Sequence, residues 1–158
     1  MNVRRATADD IEILISLYKE FHEFHVRGVP DRLRTPANCD HAGLRKKLGS
    51  ILERSDAVIF VAESEDGIVG LAEAYIRQDQ ANAHRVAYKY VLLQSMFVRE
   101  VHRRQKIGQI ILLAVEQWAR ENSASEIRLD IWEFGDGPLE FYEKRGYHTL
   151  RRTMVRRL

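Results

Sequence analysis

The chain has little of what fixes a secreted or membrane-spanning architecture. It holds one cysteine, Cys39, in 158 residues, so an intrachain disulfide is excluded and a reducing, cytoplasmic setting is expected. No apolar run approaches the roughly 18 residues that a membrane-crossing helix needs. The first ten residues, MNVRRATADD, turn polar at once and lack the apolar core of a signal segment. No membrane partner is expected. Neither sign of charge prevails: the formal net charge is +2, a sum that argues neither for nor against an anionic ligand, because a local patch matters more. Repeats, linkers and low-complexity tracts are also missing. What remains is a chain with 45% hydrophobic and 30% charged residues, enough for a core and a solvated surface in one domain spanning residues 1–158.

Periodicity divides this chain into alternating elements. Asn2 to Ala6 reads as a first strand. Thr7 with Asp10 three positions on resembles a capping box, and Ile11, Leu14, Ile15, Tyr18 and Phe21 recur at helical spacing. Gly28, Pro30 and Pro36 mark a loop, and Asp40 opens a second helix. Ala57–Ala62 and Ile68–Ile76 read as strands joined by Glu65-Asp66-Gly67, the strongest hairpin signal in the chain. Tyr88–Val98, the longest apolar run, predicts a buried central strand. A helix over Ile107–Ala119 follows, with Ile107, Ile110, Ile111, Ala114, Val115 and Trp118 inward. Ile127–Trp132 predicts a further strand, Leu139–Lys144 a short helix ended by Gly146, and Tyr147–Val155 a last strand. The class is α/β.

The chemistry concentrates at one turn, VREVHRRQKIGQ, where a buried strand ends and a strong helix begins. The first amides of a helix lack internal partners and carry partial positive charge, so such an end holds anions. Arg103, Arg104 and Lys106 add full charges, and Gly108 permits close approach of the backbone. Phosphate or pyrophosphate is the ligand this predicts. Both the G-x-x-x-x-G-K-[ST] and the G-x-G-x-x-G strings are absent, which sets aside the two most familiar nucleotide loops.

Arg103-Arg104-Gln105-Lys106-Ile107-Gly108 resembles motif A, [RQ]-x-x-G-x-[GA], of the GNAT superfamily of N-acetyltransferases. Phe141-Tyr142-Glu143-Lys144-Arg145-Gly146-Tyr147 is similar to the same family's F-Y-E-K-x-G-[FY] segment. Lys106 stands where the family usually has glycine; Gly135 and Pro138 replace its asparagine and alanine. The resemblance implies a mixed, mostly antiparallel sheet of six to seven strands with about four helices, splayed between the fourth and fifth strands. It implies acetyl-CoA as cosubstrate and no metal. The pyrophosphate would lie on the amides from Arg103 through Gln109, and the pantetheine arm on the strand end Met96-Phe97-Val98. A strand amide such as that of Phe97 would polarise the thioester carbonyl. The resemblance also implies direct attack by a primary amine of a small molecule or peptide in a ternary complex, with Tyr142 protonating the leaving thiolate. A homodimer is left open.

The base has several candidates. Gln94 and Ser95 occupy the central-strand position where many members carry a carboxylate, and neither is a strong base, so the role falls elsewhere. Glu73, between Ala72 and Ala74 in the neighbouring strand, can relay a proton through water. His22 and His25, near the end of the first helix, have the right chemistry for the same work. With His41 they match no standard metal-ligand spacing. Arg151, Arg152, Arg156 and Arg157 have no aromatic interleaving, so nucleic acid is not an expected partner. Glu133 and Asp136 suit a cationic acceptor. A second reading keeps the fold and drops the reaction: a catalytically weak, acyl-CoA-binding regulator, motivated by Lys106, Gly135 and Gln94.

Overall fold

A computed structural model describes residues 1–37, 40–135 and 137–158; Cys39 and Asp136 lie outside them. The elements in chain order are β1 (Asn2–Arg5), α1 (Ile11–Gly28), α2 (His41–Leu52), β2 (Ala57–Ser64), β3 (Gly67–Asp79), β4 (Tyr88–Val98), α3 (Ile107–Glu121), β5 (Glu126–Arg128) and α4 (Leu139–Glu143). A 3-10 turn over Ala8–Asp10 leads into α1. There the Asp10 carboxylate accepts from the Thr7 amide at 2.8 Å and from Arg4 at 2.7 and 2.9 Å.

The strands form one five-stranded sheet in the order β1-β2-β3-β4-β5. The first four are antiparallel, and β5 runs parallel to β4. Asp66-Gly67 closes the β2–β3 hairpin with Gly67 at φ 91°, a conformation cheap only for glycine. The return from β4 to β5 needs a crossover, and α3 supplies it.

Each face of the sheet buries its own cluster. Val69, Ala72, Ala74, Val91 and Leu93 pack under Ile107, Ile111, Val115 and Trp118 of α3. Ile59, Val61, Leu71 and Tyr75 pack under Leu14 and Leu17 of α1 and Leu48 of α2. Each fully buried leucine or isoleucine contributes about 2 kcal/mol. Strand β4 serves both clusters because its register slips: Glu73 faces Ser95 but Ala74 faces Leu93, which leaves Gln94 as an extra residue. The bulge reverses the alternation of side chains. Val91 and Leu93 before it, and Met96 and Val98 after it, face α3, while Phe97 turns to α1.

Four expectations are corrected. The sheet has five strands rather than six to seven. Strand β5 ends at Arg128 instead of running from Ile127 to Trp132, because β4 diverges from it there. Tyr147–Val155 forms no strand: Leu150, Met154 and Val155 are exposed, and the arginines around them offer nothing to bury. In α3, Ile110 is 38% exposed, because the inward stripe runs through Ile107, Ile111, Val115 and Trp118 and leaves Ile110 to one side. Among the described residues, no helix is long and apolar enough to cross a membrane.

Candidate active site

Pairing between β4 and β5 covers three residues, Tyr90–Leu92 against Glu126–Arg128. Beyond them the strands part, as the splay expected from the sequence requires. A cleft of about 460 Å³ fills the gap. One wall is β4 from Leu93 to Val98; the other is Leu129–Ile131. The turn before α3 closes one end, and Phe21, Phe24 and His25 of α1 line the cleft from the opposite face of the sheet.

Met96, Phe97, Val98, Arg103, Arg104, Lys106, Ile107, Gly108, Gln109 and Tyr142 all line this cleft, whereas Gln105 and Glu73 do not. The main chain of β4 presents itself unevenly. Arg99 donates its amide to the Val69 carbonyl at 2.9 Å. By the alternation of antiparallel pairs, Phe97 then turns its amide and carbonyl to β3, and Met96 and Val98 turn theirs to the open edge. The Phe97 carbonyl accordingly lies 2.9 Å from where a β-carbon on Gly70 would stand. The amide that faces the cleft is therefore that of Met96 or Val98, and the Phe97 amide expected from the sequence is held within the sheet.

The turn is left-handed at two non-glycine residues, Arg104 at φ 62° and Lys106 at φ 64°. Lys106 occupies a backbone conformation that costs a side-chain-bearing residue about 1 to 2 kcal/mol, a physical reason for glycine at this place. Its geometry brings α3 to the cleft amide-first, and the first turn of α3 carries no acidic side chain. Gly108 has a packing reason: a β-carbon there would sit 3.3 Å from the Phe141 ring. The two cations before Lys106 diverge. Arg104 is exposed. Arg103 folds inward: Nε donates to the Val98 carbonyl at 3.0 Å, and the guanidinium lies 4.5 Å from the centre of the Phe24 ring and 5.7 Å from that of Phe97. Burial lowers its pKa.

Tyr142 is 7% exposed and packs edge-on against Phe141 and Tyr147 at 5.1 and 5.4 Å. Burial, reinforced by Tyr147, pushes its phenol well above the ordinary range. Arg145, at the variable position of its motif, went unnoticed in the sequence. Its guanidinium stacks 3.7 Å over Phe141 and donates to the Phe141 carbonyl at 2.6 Å, and its buried Nε has no partner. The clue was the spacing of four residues from Phe141.

Glu73 sits 3% exposed beneath α1. The Tyr18 hydroxyl donates to it at 2.5 Å, and the Tyr75 hydroxyl to its other oxygen. Burial and Glu73 hold the Tyr18 phenol far above its ordinary value. His22 Nε2 donates to the Arg34 carbonyl at 2.9 Å. His25 Nδ1 donates to the Phe21 carbonyl at 3.0 Å. A carbonyl can only accept, so the proton is fixed on Nδ1 of His25, and in the neutral ring Nε2 keeps its lone pair.

The fold is shared with solved structures, an aminoglycoside acetyltransferase among them. The BH1408 protein of Bacillus halodurans, solved as a tetramutant, superposes with a TM-score of 0.89 at 22% identity over 100% of both chains. The aminoglycoside N-acetyltransferase AAC(6')-Iy, solved in complex with CoA, matches with a TM-score of 0.72 at 18% identity, covering 99% of this chain and 98% of that one. In sequence, the uncharacterized N-acetyltransferase YhfO of Bacillus subtilis (strain 168) is 24% identical over 147 residues, 93% of this chain and 89% of that protein. Residues 14–147 match the profile of the Acetyltransferase (GNAT) family. The chain belongs to that family.

Proposed function

We propose that the protein transfers the acetyl group of acetyl-CoA to a primary amine by direct attack in a ternary complex. One observation carries the reading: the open edge of β4 and the acid-free start of α3 line the same cleft. An arm that hydrogen-bonds like a peptide fits the first, and a pyrophosphate fits the second. The Ile107, Gly108 and Gln109 amides would hold the pyrophosphate, with Lys106 and Arg104 adding charge. The Met96 amide would stabilise the oxyanion as it develops.

The acceptor enters from the α1 face. His25 takes the ammonium proton on Nε2, and the freed lone pair forms the C–N bond. As the C–S bond breaks, the sulfur leaves with its electron pair and receives a proton from Tyr142. The second proton on nitrogen passes to solvent, which also restores the phenol. We assign the base to His25 rather than Glu73, whose two oxygens already accept from Tyr18 and Tyr75 outside the cleft. Release of free thiol from acetyl-CoA over a panel of amines, with the acetylated product identified by mass spectrometry, tests the reading. CoA binding without release on any amine would favour the regulator, for which Gln94 at the bulge, in place of a carboxylate, is the supporting feature.

A further inference from the structure

The cleft has two ends of opposite chemistry. Arg104, Lys106 and Arg145 lie toward α3 and α4, Arg103 folds onto Phe24 and Phe97, and Asp130 is the one carboxylate that lines the cleft among the described residues. The end toward α1 is aromatic. Phe21, Phe24 and His25 line it; the ring of Phe134 backs Phe24 and His25 at 5.4 and 6.3 Å, and Phe21 meets His25 at 4.5 Å. Phe134 is seated on α1 because residue 28 is glycine: a β-carbon there would stand 2.7 Å from the ring. This wall is not a cage for further cations, because the Arg103 guanidinium already lies over Phe24 and Phe97.

From this arrangement we infer that the acceptor is a monoamine with an apolar, aromatic-sized body, and not a polyamine or an aminoglycoside. The inference rests on the acetyl-transfer reading above. An arylalkylamine has one charge to place and one apolar surface to bury. Asp130 suffices for a single ammonium, and the rings of Phe21 and Phe24, which line the cleft with His25 beside them, take the aromatic body by edge-to-face contact. A polycation would bring further charges that meet no second carboxylate among the described residues lining the cleft and lie beside arginine.

The test compares phenethylamine, spermidine and kanamycin as acceptors, and measures phenethylamine binding to the CoA-loaded protein by calorimetry. For phenethylamine, kcat/KM at least about tenfold above the other two is expected, the discrimination that an apolar pocket supplies. Phe134→Ala, which removes the ring that supports Phe24 and His25, should raise KM for phenethylamine about tenfold while KM for acetyl-CoA changes little. Spermidine or kanamycin matching phenethylamine would overturn the inference and leave acetyl transfer standing. Phenethylamine binding that Phe134→Ala abolishes, with no amine acetylated, would uphold the pocket and sink the transfer reaction. Neither turnover nor binding would overturn both.

Discussion

Arg103 and Val98 hold each other at the end of β4. The arginine Nε donates to the Val98 carbonyl at 3.0 Å, and the guanidinium is sandwiched toward Phe24 and Phe97. A cation that the sequence assigns to phosphate thus acts as a strut between the turn, the strand and α1. Arg103→Ala should destabilise the fold by about 1 to 2 kcal/mol, from one charge-assisted hydrogen bond and its stacking. Arg104→Ala, at an exposed position, should leave stability within about 0.5 kcal/mol and weaken CoA binding. Denaturant melts and CoA titrations of both variants check this; equal stability would remove the strut.

Lys106 offers a backbone test. At φ 64°, a β-carbon is strained and glycine is not. Lys106→Gly should therefore be more stable than Lys106→Ala by about 1 kcal/mol. Both variants remove the charge, so the comparison isolates conformation. An alanine variant as stable as the glycine variant would contradict a left-handed turn.

Tyr142→Phe should lower kcat by about 10² or more, the usual worth of a positioned acid, with a much smaller change in KM for acetyl-CoA. Because burial raises the phenol above its ordinary value near 10, Tyr142 keeps its proton across the working range. The pH profile of kcat should show no alkaline fall attributable to it below about pH 10. Equal losses in kcat and acetyl-CoA affinity would make Tyr142 a packing residue.

The two base candidates separate by which quantity they move. His25→Gln should cut kcat by about 10² and leave CoA affinity intact. Glu73→Gln should cost about 1 to 3 kcal/mol of stability, because it disturbs a buried acceptor of two phenols, and should spare most of kcat. The reverse pattern would return the base role to Glu73.

Acid stability has an identifiable source. The Arg4 guanidinium beside Asp10 lowers that carboxyl from 3.8 to about 2, and the Asp10 side chain is 9% exposed. A carboxyl depressed in the fold stabilises it fully above its unfolded value and progressively less as pH falls toward the folded one. The pair should contribute about 2 kcal/mol at neutral pH and lose it between about pH 5 and 2. Asp10→Asn should melt earlier than the parent at pH 7, and the gap should close toward pH 2.

The elements with strong periodicity were legible in the sequence. The run to Val98, the helix from Ile107 and the Asp66-Gly67 hairpin stand where spacing and turn chemistry put them. The misses have a common cause: they depend on partners distant in sequence. Ile127–Trp132 is apolar enough for a strand, but β4 leaves it at Leu92. Tyr147–Val155 alternates well but has little to bury. Of the candidate site, the motifs pointed to the turn and Tyr142, which line the cleft. They did not reveal that Arg103 folds inward, that Gln94 is a bulge, or that Phe24 and His25 meet Phe134. Those facts arise from packing between α1 and the far end of the sheet.

The opening between β4 and β5 exists because two strands stop pairing, so the Met96 main chain and the Val98 amide have no strand to bind on that side. A ligand that offers amide groups there behaves as a removable strand. Occupancy and foldedness then become one linked equilibrium: at a ligand concentration a hundredfold above Kd, the gain is about 2.7 kcal/mol. With acetyl-CoA as that ligand, as proposed above, heat tolerance would track the supply of the donor as well as the protein's own residues.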